Sequence, residues 1–350
     1  MATLTNAEIG ELLARAAEGE EAGSNRERAM RRAARAAFFW PVEAASLPAA
    51  DRSLTELPSV GPWLARTIAG WLLDPSIEPP QPPSIRSGFL TMAEARVTLH
   101  EHPEWMADLR ADLQMHTTYS DGTATLPVMA EAATDRGYQF VAVTDHSKGL
   151  KIAGGMDEEE LAEQGAHIAL VNRDLEAEGS PLRVLRSIEM NLSPEGEQDM
   201  DPDALSRLEL VLGAFHSKLR TTEDQTERYL KALANQTFHV LAHPKCRMFN
   251  RRLGLSADWE RVFAAAAENG KAIEIDAHPN RQDLEVELLA LAREAGVWIS
   301  IGTDAHSVAE LDYIGLGVAA AIRADIPRSR ILNYRSREEV LAWTRGELRE

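Results

Sequence analysis

Asp112-Leu-Gln-Met-His-Thr-Thr-Tyr-Ser-Asp-Gly122 decides how the chain is read. An alternation of apolar and polar residues runs into turn formers, the pattern of a strand that ends in a loop carrying chemistry. Side chains alternate across a strand, so Asp112, Gln114 and His116 are expected on one face, with Asp121 just beyond the strand end. This has the form of the first piece of a metal site.

The same pattern recurs downstream. Short β-branched runs at 111–116, 140–144, 184–190, 210–215, 239–242, 272–276 and 298–302 alternate with helical segments, which predicts an α/β fold built as a parallel barrel. The apolar runs end in Asp145 and His146, in Glu189, in His216, in His243, and in Asp304 with His306. Barrel enzymes assemble their sites at the C-terminal ends of strands. One strand-end histidine is usually a packed or hydrogen-bonded residue. Five of the ten histidines at this position, with carboxylates between them, are hard to attribute to packing. A nitrogen and oxygen donor set without thiolates suits Zn2+, Mn2+ or Fe2+.

Composition sets the outer bounds. The 350 residues allow about two domains, and 44% hydrophobic with 26% charged residues is ordinary for a soluble globular chain. The first residues lack the basic and apolar regions of a leader, and no run approaches the roughly 18 apolar residues of a membrane span, so a cytoplasmic location is the default. The single cysteine, Cys246, excludes an internal disulfide and a thiolate zinc site. A net charge of -18 argues against a general nucleic-acid coat. Screening limits that repulsion to about 8 Å at physiological salt, so a local nucleic-acid site remains compatible.

Ahead of the barrel, residues 4–17 and 24–38 read as helices, the second with five arginines between Arg26 and Arg35. From Leu54 to Leu72 the pattern is helix, tight turn at Pro58 to Gly61, and a second helix starting near Pro62. The stretch resembles a helix-hairpin-helix motif, whose turn usually has glycine at the positions of Ser59 and Gly61. In that motif Ser59, Val60 and Gly61 would offer turn amides to a nucleic-acid phosphate. A plain helical hairpin is the alternative. Residues 1–73 are similar to the small N-terminal domain of bacterial family X DNA polymerases. No lysine precedes Lys148, so Schiff-base chemistry in this module lacks its amine. Residues 74–108 read as a proline-rich linker and connecting helix, too short for a polymerase palm, and polymerase activity is not expected.

The ordered series Gln114-Met-His116, Thr-Asp-His146, Ile-Glu189, Phe-His216, Ala-His243-Pro and Thr-Asp304-Ala-His306 resembles the motifs of the polymerase and histidinol phosphatase (PHP) family over about 109–350. The resemblance implies a distorted seven-stranded (β/α)7 barrel, two to three divalent metals, and phosphoester hydrolysis by metal-activated water. It implies one metal on Gln114, His116, Glu189 and Asp304, a second on Glu189, His216 and His243, and a third on Asp121, His146 and His306. Gln114 stands where the family usually has histidine. An amide oxygen is a weaker ligand for zinc-like ions, so this site either favours a harder ion such as manganese or is partly occupied. Lys218, Lys245, Arg247 and Arg281 are candidates for charge at the phosphoryl oxygens, Asp145 for a catalytic carboxylate, and His278 for a proton donor.

The expected function is hydrolysis of DNA or a nucleotide phosphoester, as a 3′-5′ exonuclease or 3′-end phosphatase, with no obligatory protein partner. The alternatives are a phosphatase of a small monoester, such as histidinol phosphate or a nucleotide, and a metal-stabilised DNA-binding protein without catalysis.

Overall fold

In the computed structural model, which describes residues 4–348, seven strands pair in parallel and in chain order. They are β1 (Ala111–Met115), β2 (Phe140–Val143), β3 (Arg183–Leu192), β4 (Leu210–Phe215), β5 (Val240–Leu241), β6 (Ala272–Asp276) and β7 (Trp298–Gly302). Helices alternate with them, the longest being Glu158–Ala177 between β2 and β3. Each crossover returns the chain to the same end of the sheet, as parallel pairing demands. The period-two pattern of β1 sorts its side chains: Ala111 and Leu113 join the hydrophobic cluster with Phe140, Leu185, Leu212 and Trp298, and Asp112 and Gln114 face the other way.

The sheet closes on itself. Met115 bridges to Ala305, His116 N–H donates to Ala305 O at 2.8 Å, and Asp304 N–H donates to Gln114 O at 3.1 Å. Below these bonds a side chain replaces the missing ladder. The buried Asn333 amide donates to Ala111 O at 2.9 Å and to Ile301 O at 2.7 Å, and its oxygen accepts Ile301 N–H at 2.8 Å. Asp112 ties the same seam, accepting Thr303 N–H and Oγ1–H at 3.1 and 2.6 Å.

Four strands differ from their sequence-based limits, β1 and β2 by one residue at the C-terminal end and β3 and β5 by more. β3 continues past Glu189 to Leu192, because Met190 to Leu192 stay paired with Gly213 to Phe215 of β4. Glu189 therefore lies within the strand rather than at its end. β5 is cut to two residues, since His243 turns the chain with φ at 27°.

The chain divides between His102 and Pro103 into two units. The front unit holds α1 (Asn6–Glu18), α2 (Asn25–Ala37), α3 (Pro62–Leu73) and α4 (Met92–Glu101). Thr5 and Glu8 form a capping box that starts α1, and Ile9, Leu13, Met30, Trp40, Leu57 and Ile68 share one core. The proline-rich stretch packs on this unit. Arg15 donates to Glu78 O at 3.0 Å, and Arg86 makes a two-point contact with the buried Glu11 carboxylate at 2.6 Å.

The first arm of the expected hairpin is not a continuous helix. It is a single 3-10 turn at Leu54–Glu56, preceded by a short helix at Ser46–Ala49 and by Asp51 at φ 55°. Leu57 precedes a proline and takes the extended conformation that proline imposes, which ends that arm. Ser59 adopts φ 67°, a left-handed backbone that explains why glycine suits this position.

Replacing Asn333 with leucine would leave the buried Ala111 and Ile301 backbone groups without partners. A loss of about 3 kcal/mol or more is expected from denaturant unfolding.

Candidate metal centre

The centre is built around Glu189. This fully buried carboxylate has His243 Nε2 at 2.8 Å and His216 Nε2 at 3.0 Å from Oε1, and His116 Nε2 and His146 Nδ1 at 3.3 Å from Oε2. Gln114 Nε2 donates to Oε2 at 3.1 Å. Next to it, His116 Nε2 lies 3.0 Å from Asp304 Oδ1. Asp121 Oδ1 is 3.2 Å from His306 Nε2 and 3.6 Å from His146 Nε2. The rings of His146 and His306 stack on the two sides of His116, at centroid distances of 4.5 and 4.3 Å. All nine residues expected as metal ligands are thus gathered at one end of the barrel.

The loops that carry them have local causes. Asp121 is held by the close return of the chain at Gly122, where a Cβ would lie 2.7 Å from the His116 carbonyl. Asp304 and His243 sit at φ 51° and 27°, strained positions that turn each ligand inward directly after its strand.

Electrostatics separate the imidazoles. Burial works against charge on His116, but hydrogen bonds to Asp304 and Glu189 outweigh it and raise its pKa well above the ordinary value. Burial carries His146 the other way, down to about 3, and also lowers His243. Burial disfavours charge on Glu189 and Asp304, yet both remain well inside the ionised range, Glu189 because of the surrounding imidazoles and Asp304 chiefly because of Arg281.

Donor chemistry fits divalent cations. One ligand atom each from His116, Asp121, His146 and His306 lie within 4.8 Å of one another, as do those of His146, Glu189 and His216, and of His116, Glu189 and Asp304. Gln114 Oε1, His116 Nδ1, His146 Nδ1, His216 Nε2 and His243 Nδ1 are buried with no hydrogen-bond partner, a concentration that a cation would relieve.

The other expected site residues are more varied. Arg281 belongs to the centre, its Nε 3.0 Å from Asp304 Oδ2 and 3.4 Å from Asp276 Oδ2. Lys218 is exposed just after His216. Lys245 and Arg247 are both committed to Glu285, Arg247 at 2.9 Å. His278 accepts Asn280 N–H at its Nδ1 and packs edge-on to Tyr313. Asp145 has a scaffolding occupation. Its two oxygens accept Thr117 N–H, Thr117 Oγ1–H, Ser120 Oγ–H and Gln164 Nε2–H at 2.6 to 2.8 Å, which fixes the loop leading to Asp121 and leaves little capacity for proton transfer. In the front unit Val60 is a core residue whose N–H donates to Leu57 O, while Ser59 and Gly61 are exposed.

Sequence reading did not single out Asp283, Asn191 or Asp199. Asp283 accepts Lys245 and Arg247 N–H and shapes the loop after His243. Asn191 Oδ1 faces His216 Nδ1 at 3.2 Å, two residues beyond Glu189. Asp199 holds Ser147 and Gly149 after His146. Only Asn191 had a sequence signal, its two-residue spacing from Glu189 on one strand.

The PHP domain family matches residues 112–278. "DNA polymerase/3'-5' exonuclease PolX" from Bacillus subtilis is 36% identical over 239 residues, covering 68% of this chain but only 41% of the polymerase. A "Probable phosphatase" from Acetivibrio thermocellus is 29% identical over 232 residues, covering 63% of this chain and 90% of its own length. The solved histidinol phosphate phosphatase of Lactococcus lactis, complexed with zinc, L-histidinol and phosphate, has 15% identity and a TM-score of 0.45, covering 62% of this chain and 94% of that one. No helix among the described residues is long and apolar enough to cross a membrane.

The raised pKa of His116 has a measurable consequence. A metal ligand must be a neutral imidazole, so metal uptake near pH 7 should release a proton, and affinity should fall as pH is lowered. Calorimetric titration of the metal-free protein in two buffers of different ionisation enthalpy checks this. Equal heats would mean that His116 was already neutral.

Proposed function

Because residues 112–278 constitute a PHP domain, we propose that the chain is a divalent-metal-dependent phosphoesterase acting on nucleic acid, as a 3′-5′ exonuclease or 3′-end phosphatase. The observation that carries this reading is Glu189, a buried carboxylate within 3.3 Å of four imidazoles. Two to three ions, drawn from Mn2+, Zn2+ and Fe2+, would divide among Gln114, His116, Glu189 and Asp304; Glu189, His216 and His243; and Asp121, His146 and His306. Bound there, they supply Lewis acidity that makes water nucleophilic near neutral pH and polarises a phosphoryl oxygen.

The chain's own residues complete the chemistry. Arg281, kept cationic beside Asp304, would supply positive charge to phosphoryl oxygens as they gain charge. Lys218 is free to approach substrate from the rim, whereas Lys245 and Arg247 act through Glu285 to hold the loop after β5. His278, with Nδ1 occupied by Asn280 N–H, has Nε2 as the atom able to pass a proton to the leaving oxygen.

Nucleic acid as substrate is supported by the likeness to the exonuclease-bearing polymerase and by α2. Its arginines 26, 28, 31, 32 and 35 are all exposed, and Arg26 lies over the Trp63 ring at the start of α3. A small phosphate monoester is the second reading, favoured by the phosphatase relative that aligns over 90% of its length.

A 5′-labelled single-stranded DNA incubated with manganese-loaded protein should shorten to a ladder of single-nucleotide steps. His216→Ala should slow it at least about 100-fold. Phosphate release from small monoesters with the oligonucleotide left intact would establish the second reading instead.

A further inference from the structure

Glu274 on β6 is fully buried beside the centre. Its Oε2 accepts His243 N–H at 2.7 Å, and its Oε1 has no hydrogen-bond partner. Gln114 on β1 is in the complementary position: its Nε2 faces Glu189, and its Oε1 is buried and unpartnered. These two lone oxygens adjoin the same spot on β7. A Cβ at Gly302 would stand 2.6 Å from Glu274 Oε1, 3.2 Å from Gln114 Oε1 and 2.5 Å from Gln114 Cβ. The bare backbone at Gly302 leaves room for both side chains beside that strand.

With Glu274 ionised, two acceptors adjoin one spot without a donor, at a cost of about 1–3 kcal/mol each. Turning over the Gln114 amide, whose oxygen and NH2 ends are nearly equal in shape, brings a donor to the Glu274 side. The NH2 then donates to Glu274 Oε1, and the amide oxygen faces Glu189 Oε2. Two oxygens in that relation are compatible when a cation lies between them. Glutamine, unlike imidazole, has a donor end and an acceptor end, and something must decide which one points inward.

We propose that Glu274 is the positioning residue that makes this decision, holding the Gln114 NH2 so that the amide oxygen is presented to the cation shared with Glu189 and Asp304. The inference rests on the metal-centre reading above. It accounts for how a neutral amide serves where an imidazole is the usual ligand.

The test is a double-mutant cycle in the full chain, read as Mn2+ affinity by calorimetry and by the resonance signal of free Mn2+. Glu274→Gln keeps one oxygen for His243 N–H and turns an NH2 toward Gln114, which holds the amide the wrong way round. It should weaken the affected Mn2+ site about tenfold or more. In a Gln114→His background the same change should matter less than about threefold, because no amide remains to orient. Circular dichroism identifies folded variants, and Glu274→Met, which also removes the acceptor, takes the place of Glu274→Gln if that protein does not fold. Equal losses in both backgrounds, or no loss in either, overturn the proposal while leaving the metal centre standing. Failure of the unaltered chain to bind Mn2+ overturns both.

Discussion

One carboxylate in the barrel interior sets the terms for the rest of this unit. An ionised Glu189 has lost its hydration, and burial alone would drive it to the neutral form. Four imidazoles and an amide, delivered by β1 and by the loops after β2, β4 and β5, surround it instead. The loops after β2, β4 and β5 must therefore close to within about 3.3 Å of one carboxylate, which explains why so many of the surrounding residues are specialised for holding backbone.

Those holding residues are themselves acids. Asp112 accepts from Thr303, Asp145 from Thr117 and Ser120, Asp283 from Lys245 and Arg247, and Asp199 from Ser147 and Gly149. At the mouth of a parallel barrel the chain leaves the ladder and its N–H groups lose their partners, so carboxylates take over the acceptor role. Asp112 and Asp283 are fully buried, and that burial pushes their pKa values up to about 6 each. The buried acids at this end thus divide into two populations, one lining the candidate metal centre and one supporting the loops.

This division marks the limit of what the sequence discloses. The seven strands and their order were legible because β-branched runs recur between helical stretches, and the ligand positions were legible because polar residues follow those runs at fixed offsets. Asp145 and His146 illustrate the boundary: they are adjacent in one motif, yet His146 joins the centre and Asp145 braces Thr117. Which neighbour does which depends on the pleat and on loop return, neither of which is written in spacing. The hairpin shows the reverse error, since the helix expected from Leu54 is only a 3-10 turn that ends at the extended Leu57 ahead of Pro58. Pairings such as Arg247 with Glu285 lie 38 residues apart, beyond any local signal.

The side-chain seal at Asn333 carries a kinetic corollary. Its amide reaches back 222 residues to Ala111, and the contact between His116 and Asp304 spans 188. Contacts of such separation form late, because the entropy of closing a long loop is spent before they are made. The front unit's core, by contrast, is assembled from neighbours such as α1 and α2. During synthesis the chain therefore gains a compact front unit early, while the first and last strands of the barrel, and with them Asp304, come together only after nearly all of the remaining sequence has emerged.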